Sequence, residues 1–195
     1  MALRNFLAPI AAFALSATAQ ATVLTFDGLT SEAAVLLNSV SPAYGGLSWG
    51  NTWALFDTSA YGAPVNSGNY GIVNNTGTSP EAITIASSST MTFNGVYIGG
   101  WPFNAPASIL IEGLDALDNV IAGNSISVSL SNSSPLQYVN ADWAGVTSVR
   151  FTGGQYYTLD DFTFNEGGTV PEPTTIALVA LALLGGAAAS RRKRT

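Results

Sequence analysis

The sequence contains no cysteine and no histidine. Without cysteine there are no disulfides, no thiolate nucleophile and no thiolate metal site. Without histidine the usual general base is missing, and with it the Ser-His-Asp arrangement and nearly all zinc sites. Basic residues are scarce and segregated. Of the six, Arg4 lies near one end, Arg191, Arg192, Lys193 and Arg194 lie at the other, and only Arg150 falls between. From Asp27 to Glu172, twelve acids face that single base, a net charge of −11 for the span. Such a body repels nucleic acid and anionic headgroups, so no nucleic-acid partner is expected. Its acidity either keeps an exported protein soluble or attracts divalent cations.

The two ends read as addresses. Met1 to Arg4, an apolar run from Phe6 to Leu15, and Ala19-Gln20-Ala21 follow the order of a secretory signal peptide over 1–21. Ala19 and Ala21 are the small residues of its cleavage site, and Thr22 would begin the exported body. At the other end, Val170-Pro171-Glu172-Pro173 precedes an apolar stretch, and Arg191 to Arg194 follows it. A helix over 174–190 would be roughly 25 Å long at ~1.5 Å per residue, slightly short of a ~30 Å hydrocarbon core. It has no polar face, so a globular domain would have to surround it completely. The basic cluster Arg191, Arg192, Lys193, Arg194 (residues 191–195 with Thr195) marks a cytoplasmic stop. Both ends therefore predict one topology: an exported body facing the periplasm, held at the inner membrane by a C-terminal transmembrane helix.

Pro171-Glu172-Pro173, a short apolar helix and a terminal basic cluster together resemble the PEP-CTERM sorting signal. That resemblance implies an exosortase as partner and delivery to the cell surface or the exopolysaccharide matrix. It makes Pro171, Glu172 and Pro173 a substrate motif rather than catalytic residues. The prolines keep this segment extended and open to a protease.

The body, 22–166, is rich in Gly, Ser, Thr and Asn. Short runs alternate with period two: 22–26, 82–85, 91–93, 96–98, 108–112, 125–130, 147–151 and 157–164. Asp118-Asn119 and Gly153-Gly154 are turn candidates. Only Ser31 to Leu37 looks helical, and residues 167–173 form a linker carrying the sorting motif. About eight strands at this spacing predict an all-β, two-sheet β-sandwich of the jelly-roll kind. Phe26-Asp27-Gly28-Leu29, Tyr44 to Trp49, Phe93 to Tyr97 and Leu159 to Phe164 resemble ectodomains found with this sorting tail. The last of these resembles the closing strand of galactose-binding-like jelly rolls.

Two sets of residues are candidate sites. Adjacent Asp160 and Asp161 on a regular strand point to opposite faces. If first and last strands are neighbours, Asp27 lies near one of them. Carboxylate and carbonyl oxygens suit a structural Ca²⁺; otherwise no cofactor is expected and these aspartates cap loops or face solvent. Asp115, Asp118 and Asn119 read as a hairpin turn rather than a calcium loop. Trp49, Trp53 and Trp101, with Tyr44, Tyr61 and Tyr70, fall in Gly/Asn-rich segments. They either offer flat rings to sugars, or are buried where loops fold over the sandwich. Trp143 reads as packing.

The expectation is a non-catalytic surface or matrix protein associated with exopolysaccharide and biofilm. The alternative is a carbohydrate-binding module using Trp49, Trp53, Trp101 and Tyr44. A glycoside hydrolase would need two carboxyl groups ~5–9 Å apart across a cleft, and no motif nominates a pair.

Overall fold

A computed structural model describes residues 21–75, 81–85, 89–154 and 156–166. They fall in one compact unit, Gln20–Gly168. Ala19, the sorting motif Pro171-Glu172-Pro173, the span 174–190 and the basic cluster Arg191–Arg194 lie outside the described residues. Among the described residues no helix is long and apolar enough to cross a membrane.

Two antiparallel sheets form a sandwich-like, mostly-β body. The larger has seven strands, β1 (Thr22–Leu24), β2 (Ala34–Leu36), β4 (Trp53–Asp57), β5 (Tyr70–Asn74), β7 (Met91–Gly100), β10 (Gln137–Val146) and β12 (Tyr157–Glu166). Their order is β10-β7-β12-β5-β4-β2. β12 runs the whole length of β7 on one side. On its other side it pairs first with β5, at Thr158 and Leu159, then with β1, from Phe162 to Phe164. The first strand therefore does lie beside the last. The smaller sheet has five strands: β3 (Leu47–Ser48), β6 (Glu81–Ile85), β8 (Ser108–Leu114), β9 (Val120–Ser129) and β11 (Ser148–Thr152), in the order β3-β6-β11-β8-β9.

Alternation along the strands builds the core between the sheets. Phe93, Val96 and Ile98 of β7 and Leu159, Phe162 and Phe164 of β12 meet Ile109 and Ile111 of β8 and Val149 and Phe151 of β11. Twelve strands replace the expected eight, because several carry no period-two signal. Trp53-Ala54-Leu55-Phe56 is apolar without alternation because β4 is covered on both faces. Trp53 and Leu55 enter the main core, whereas Ala54 and Phe56 join Ala63 and Val73 in a second cluster. α2 (Thr58–Tyr61) follows β4, capped by the Asp57 side chain accepting from Ser59 N–H at 2.7 Å.

β10 was hidden for another reason. It gains one extra residue against β7 between Asn140 and Trp143, and another between Trp143 and Val146. These bulges space its inward residues unevenly, so Val139, Trp143 and Val146 reach the core without strict alternation. The expected helix at Ser31–Leu37 is corrected. Ala34–Leu36 is a strand paired with Ala54–Phe56, and only one helical turn, α1 (Leu37–Val40), follows. Backbone pairing with an edge strand overrides helix propensity over so short a run.

Candidate functional site

Asp27, Asp160 and Asp161 converge on one segment, residues 66–70, which ends the connection from α2 and begins β5. Asp160 leaves β12 on the face opposite Leu159 and is 1% exposed. Its Oδ2 accepts the N–H groups of Asn66 at 2.7 Å and Ser67 at 2.9 Å. Its Oδ1 accepts the N–H of Asp161 at 2.8 Å. On a regular strand Asp161 would point the other way. Instead β12 carries an extra residue between Asp160 and Thr163, and Asp161 has φ +46°. The bulge corrects the opposite-face expectation and brings both carboxylates to the same loop. Asp161 accepts from the Asn66 side-chain amide and the Ser67 hydroxyl, both at 2.6 Å.

Asp27 closes the other end of the loop. Phe26, two residues beyond β1 and at φ +63°, sends its ring into the core. Asp27 then accepts the N–H groups of Asn69 at 2.9 Å and Tyr70 at 3.1 Å. Gly68, at φ +54°, lies against this carboxylate, and a Cβ there would overlap it. Asp27, just beyond β1, and Asp160 and Asp161 of β12 thus hold residues 66–70 through backbone and side chains.

Burial dominates the electrostatics. It pushes the Asp160 carboxyl up to about 7, against the lowering effect of the Ser67 and Asn66 N–H groups, and Asp161 beside it adds to the rise. Tyr44 is raised too, chiefly by burial, with Asp27 and Asp160 contributing. Among the described residues no group of three or more acidic side chains could hold a metal ion. The oxygens of Asp27, Asp160 and Asp161 named above accept hydrogen bonds from the loop or from β12 itself. The cluster is a clasp that holds residues 66–70 against β12.

The aromatic candidates divide. Trp49 and Trp53 are completely buried, which corrects their reading as glycan platforms. Trp49 meets Phe26 and Phe162 edge-on at 5.4 and 5.5 Å, and its Nε1 donates to the Tyr44 carbonyl at 2.8 Å. Trp53 packs edge-on against Phe151 and Tyr157 at 6.0 and 5.7 Å. Tyr44 is half-buried against Phe26. Trp101 alone of the three tryptophans keeps an accessible edge. It lies across Phe56 at 5.0 Å and Tyr61 at 5.5 Å, lining a pocket of about 80 Å³ with Val73 and Asn75. That volume is well below the ~300–1,000 Å³ of small-molecule sites. Trp143 is packing, as expected.

Residues the sequence did not nominate are Asn66, Ser67 and Asn69, the donors of the clasp. A polar Asn-Ser-Gly-Asn run announces a turn, but nothing in it announces which carboxylates it will meet.

The C-terminal segment, residues 169–193, matches the PEP-CTERM protein-sorting motif. The motif implies processing by an exosortase and an exported protein sorted to the membrane or cell surface. No curated protein matches the chain. Among solved structures, a DUF4465 family protein from Bacteroides caccae is similar in fold. It is 12% identical, with a TM-score of 0.54, over 75% of this chain and 99% of that one. The K2 cleaved adhesin domain of Lys-gingipain gives 13% identity and a TM-score of 0.43, over 75% of this chain and 99% of that one. The two-sheet, sandwich-like fold of the body is thus shared with the DUF4465 family protein, while the sorting motif speaks for its destination.

Proposed function

We propose that this is a non-catalytic protein of the cell surface or extracellular matrix, sorted by an exosortase and operating in contact with exopolysaccharide. The observation that carries this is the sorting motif at 169–193, placed directly after the last strand of a β-sandwich that ends at Glu166. Its supporting chemistry is negative in sign. The span from Asp27 to Glu172 holds no histidine or cysteine and one base. Among the described residues, the most perturbed carboxyl, Asp160, is committed to holding a loop.

The test is cell fractionation with surface proteolysis in a host that makes exosortase. The wild-type body should reach the outer surface or the medium. Replacing Pro171, Glu172 and Pro173 by alanine, or deleting the exosortase, should leave it at the inner membrane. Identical distributions in all three would reject the reading.

Carbohydrate binding by the body is the second reading. The partly exposed Trp101 and Tyr61 favour it, since aromatic rings with an apolar face toward solvent suit sugar rings.

A further inference from the structure

The outer face of the larger sheet carries a second aromatic group. β10, β7 and β12 place Tyr138, Tyr97 and Asp160 in one cross-strand row, Tyr138 opposite Tyr97 and Tyr97 opposite Asp160. The 66–70 segment covers Asp160, the neighbour of Tyr97 in that row. Their ring centroids are 5.0 Å apart, and Tyr138 is 44% exposed. A lone exposed tyrosine means little. Here three separate devices fix the pair and its surroundings.

The first is Gly95. Its missing Cβ leaves room for the Tyr138 ring, whose hydroxyl would otherwise lie 2.6 Å from that carbon. Tyr138 therefore leans across β7 rather than standing up from the sheet. The second is Thr163, which pairs with Gly95 across β7 and so sits beside the Tyr138 phenol, and whose hydroxyl donates to the Asp161 carbonyl at 3.0 Å. The ring thus lies next to the bulge of the clasp. The third is Asp142, at φ +51° inside the first bulge of β10. That conformation costs a non-glycine residue on the order of 1 kcal/mol. It aims the carboxylate back across the sheet. Oδ1 accepts the Asn94 amide at 3.1 Å and Oδ2 the Asn140 amide at 3.0 Å. Each oxygen keeps a second lone pair, and Asn140 and Asp142 are exposed.

We propose that Tyr97, Tyr138, Asn140 and Asp142 form a binding site for a neutral polysaccharide on the outer face of this sheet. The proposal rests on the carbohydrate-binding reading above and moves its site from the loops to the strands. The apolar face of a pyranose ring stacks on Tyr138, with Tyr97 extending the surface. Ring hydroxyls donate to the free lone pairs of Asp142 and to the Asn140 carbonyl. The polysaccharide is neutral because, among the described residues, no lysine or arginine bonds to this cluster, Asp142 presents a carboxylate, and the surrounding span carries −11. The side chains are held before any ligand arrives, which lowers the ordering cost of binding.

The test is affinity electrophoresis of the full chain in mild detergent, through gels containing galactomannan, dextran or laminarin, with alginate as the polyanion. Retardation by at least one neutral polymer and not by alginate is expected. Tyr138→Ala and Asp142→Ala should each weaken it on the order of tenfold, the equivalent of ~1.4 kcal/mol. Tyr138→Phe keeps the ring and should retain most of the binding. Asn140→Ala, an exposed position, probes the same site should the larger truncations disturb the fold. Leu117→Ala, at an exposed hairpin tip, should change nothing. Retardation lost in Trp101→Ala but unaffected by Tyr138→Ala and Asp142→Ala would overturn the site and leave the carbohydrate-binding reading standing. Retardation by none of the neutral polymers would overturn both, without touching surface sorting, which fractionation tests separately.

Discussion

Two aspartate groups in this protein make the same bond to opposite effect. At the β8–β9 hairpin, Asp115 accepts the N–H groups of Leu117 at 2.8 Å and Asn119 at 3.0 Å. At the clasp, Asp160 accepts those of Asn66 and Ser67 at 2.7 and 2.9 Å. The hydrogen bonds hold the Asp115 carboxyl below its usual range, while burial pushes Asp160 up to about 7. The partners of Asp115 are its chain neighbours, and water still reaches it. Those of Asp160 lie more than ninety residues away, and the loop seals it from solvent. Carboxylate–amide bonding favours the charged form, but desolvation overrides it once the group is enclosed.

Four experiments would break or sharpen this contrast. The largest effect is expected from Asp160→Ala, which strands backbone donors around an emptied buried site. Urea unfolding should show a loss of about 3 kcal/mol, and limited proteolysis should begin within residues 66–70. An unchanged midpoint would mean that the loop is held elsewhere.

The pH dependence comes next. The folded Asp160 carboxyl titrates near 7, above its ordinary 3.8, so the folded state binds the extra proton. Its contribution to stability is therefore full at low pH and lost as pH rises through about 7. Between pH 5 and pH 7 the loss should be about 2 kcal/mol. Melting curves across that window measure it. In Asp160→Asn the slope should flatten, and a slope that persists would assign the titration to another group.

Gly68→Ala should cost about 1–2 kcal/mol, through its left-handed backbone and its overlap with Asp27. Its readout is the thermal midpoint, with Gly62→Ala as a comparison. Gly62 also has positive φ, but open space lies around it, so backbone strain is the only cost there. The smallest change is expected for Asp115→Asn at the hairpin. The turn keeps its backbone bond between Asp115 N–H and the Asn119 carbonyl at 2.9 Å, and hydrogen exchange should report only local loosening.

The destination of this protein and about half of its strands are written in local sequence. A sorting motif is read as a linear string, and the β8 and β12 runs alternate because one face of each is dry. The hairpin at Asp115–Asn119 was equally legible, since a turn closes over five consecutive residues. β4 and β5 were not, because a second cluster around Phe56 buries their other face and erases the alternation. β10 was not, because two bulges shift its phase.

The sites depended most on tertiary structure. Trp49 and Trp53 sit in glycine-rich segments that resemble loops, yet both rings are swallowed by the core. Whether a ring faces a sugar or a phenylalanine depends on what the rest of the chain lays over it, and no window of sequence contains that information. The same holds for the aspartates. Composition gave their number and charge, and chain order put Asp27 beside the last strand. Only the bulge at Asp161, and the loop it reaches, decided that these carboxylates face backbone amides and that one of them loses its water.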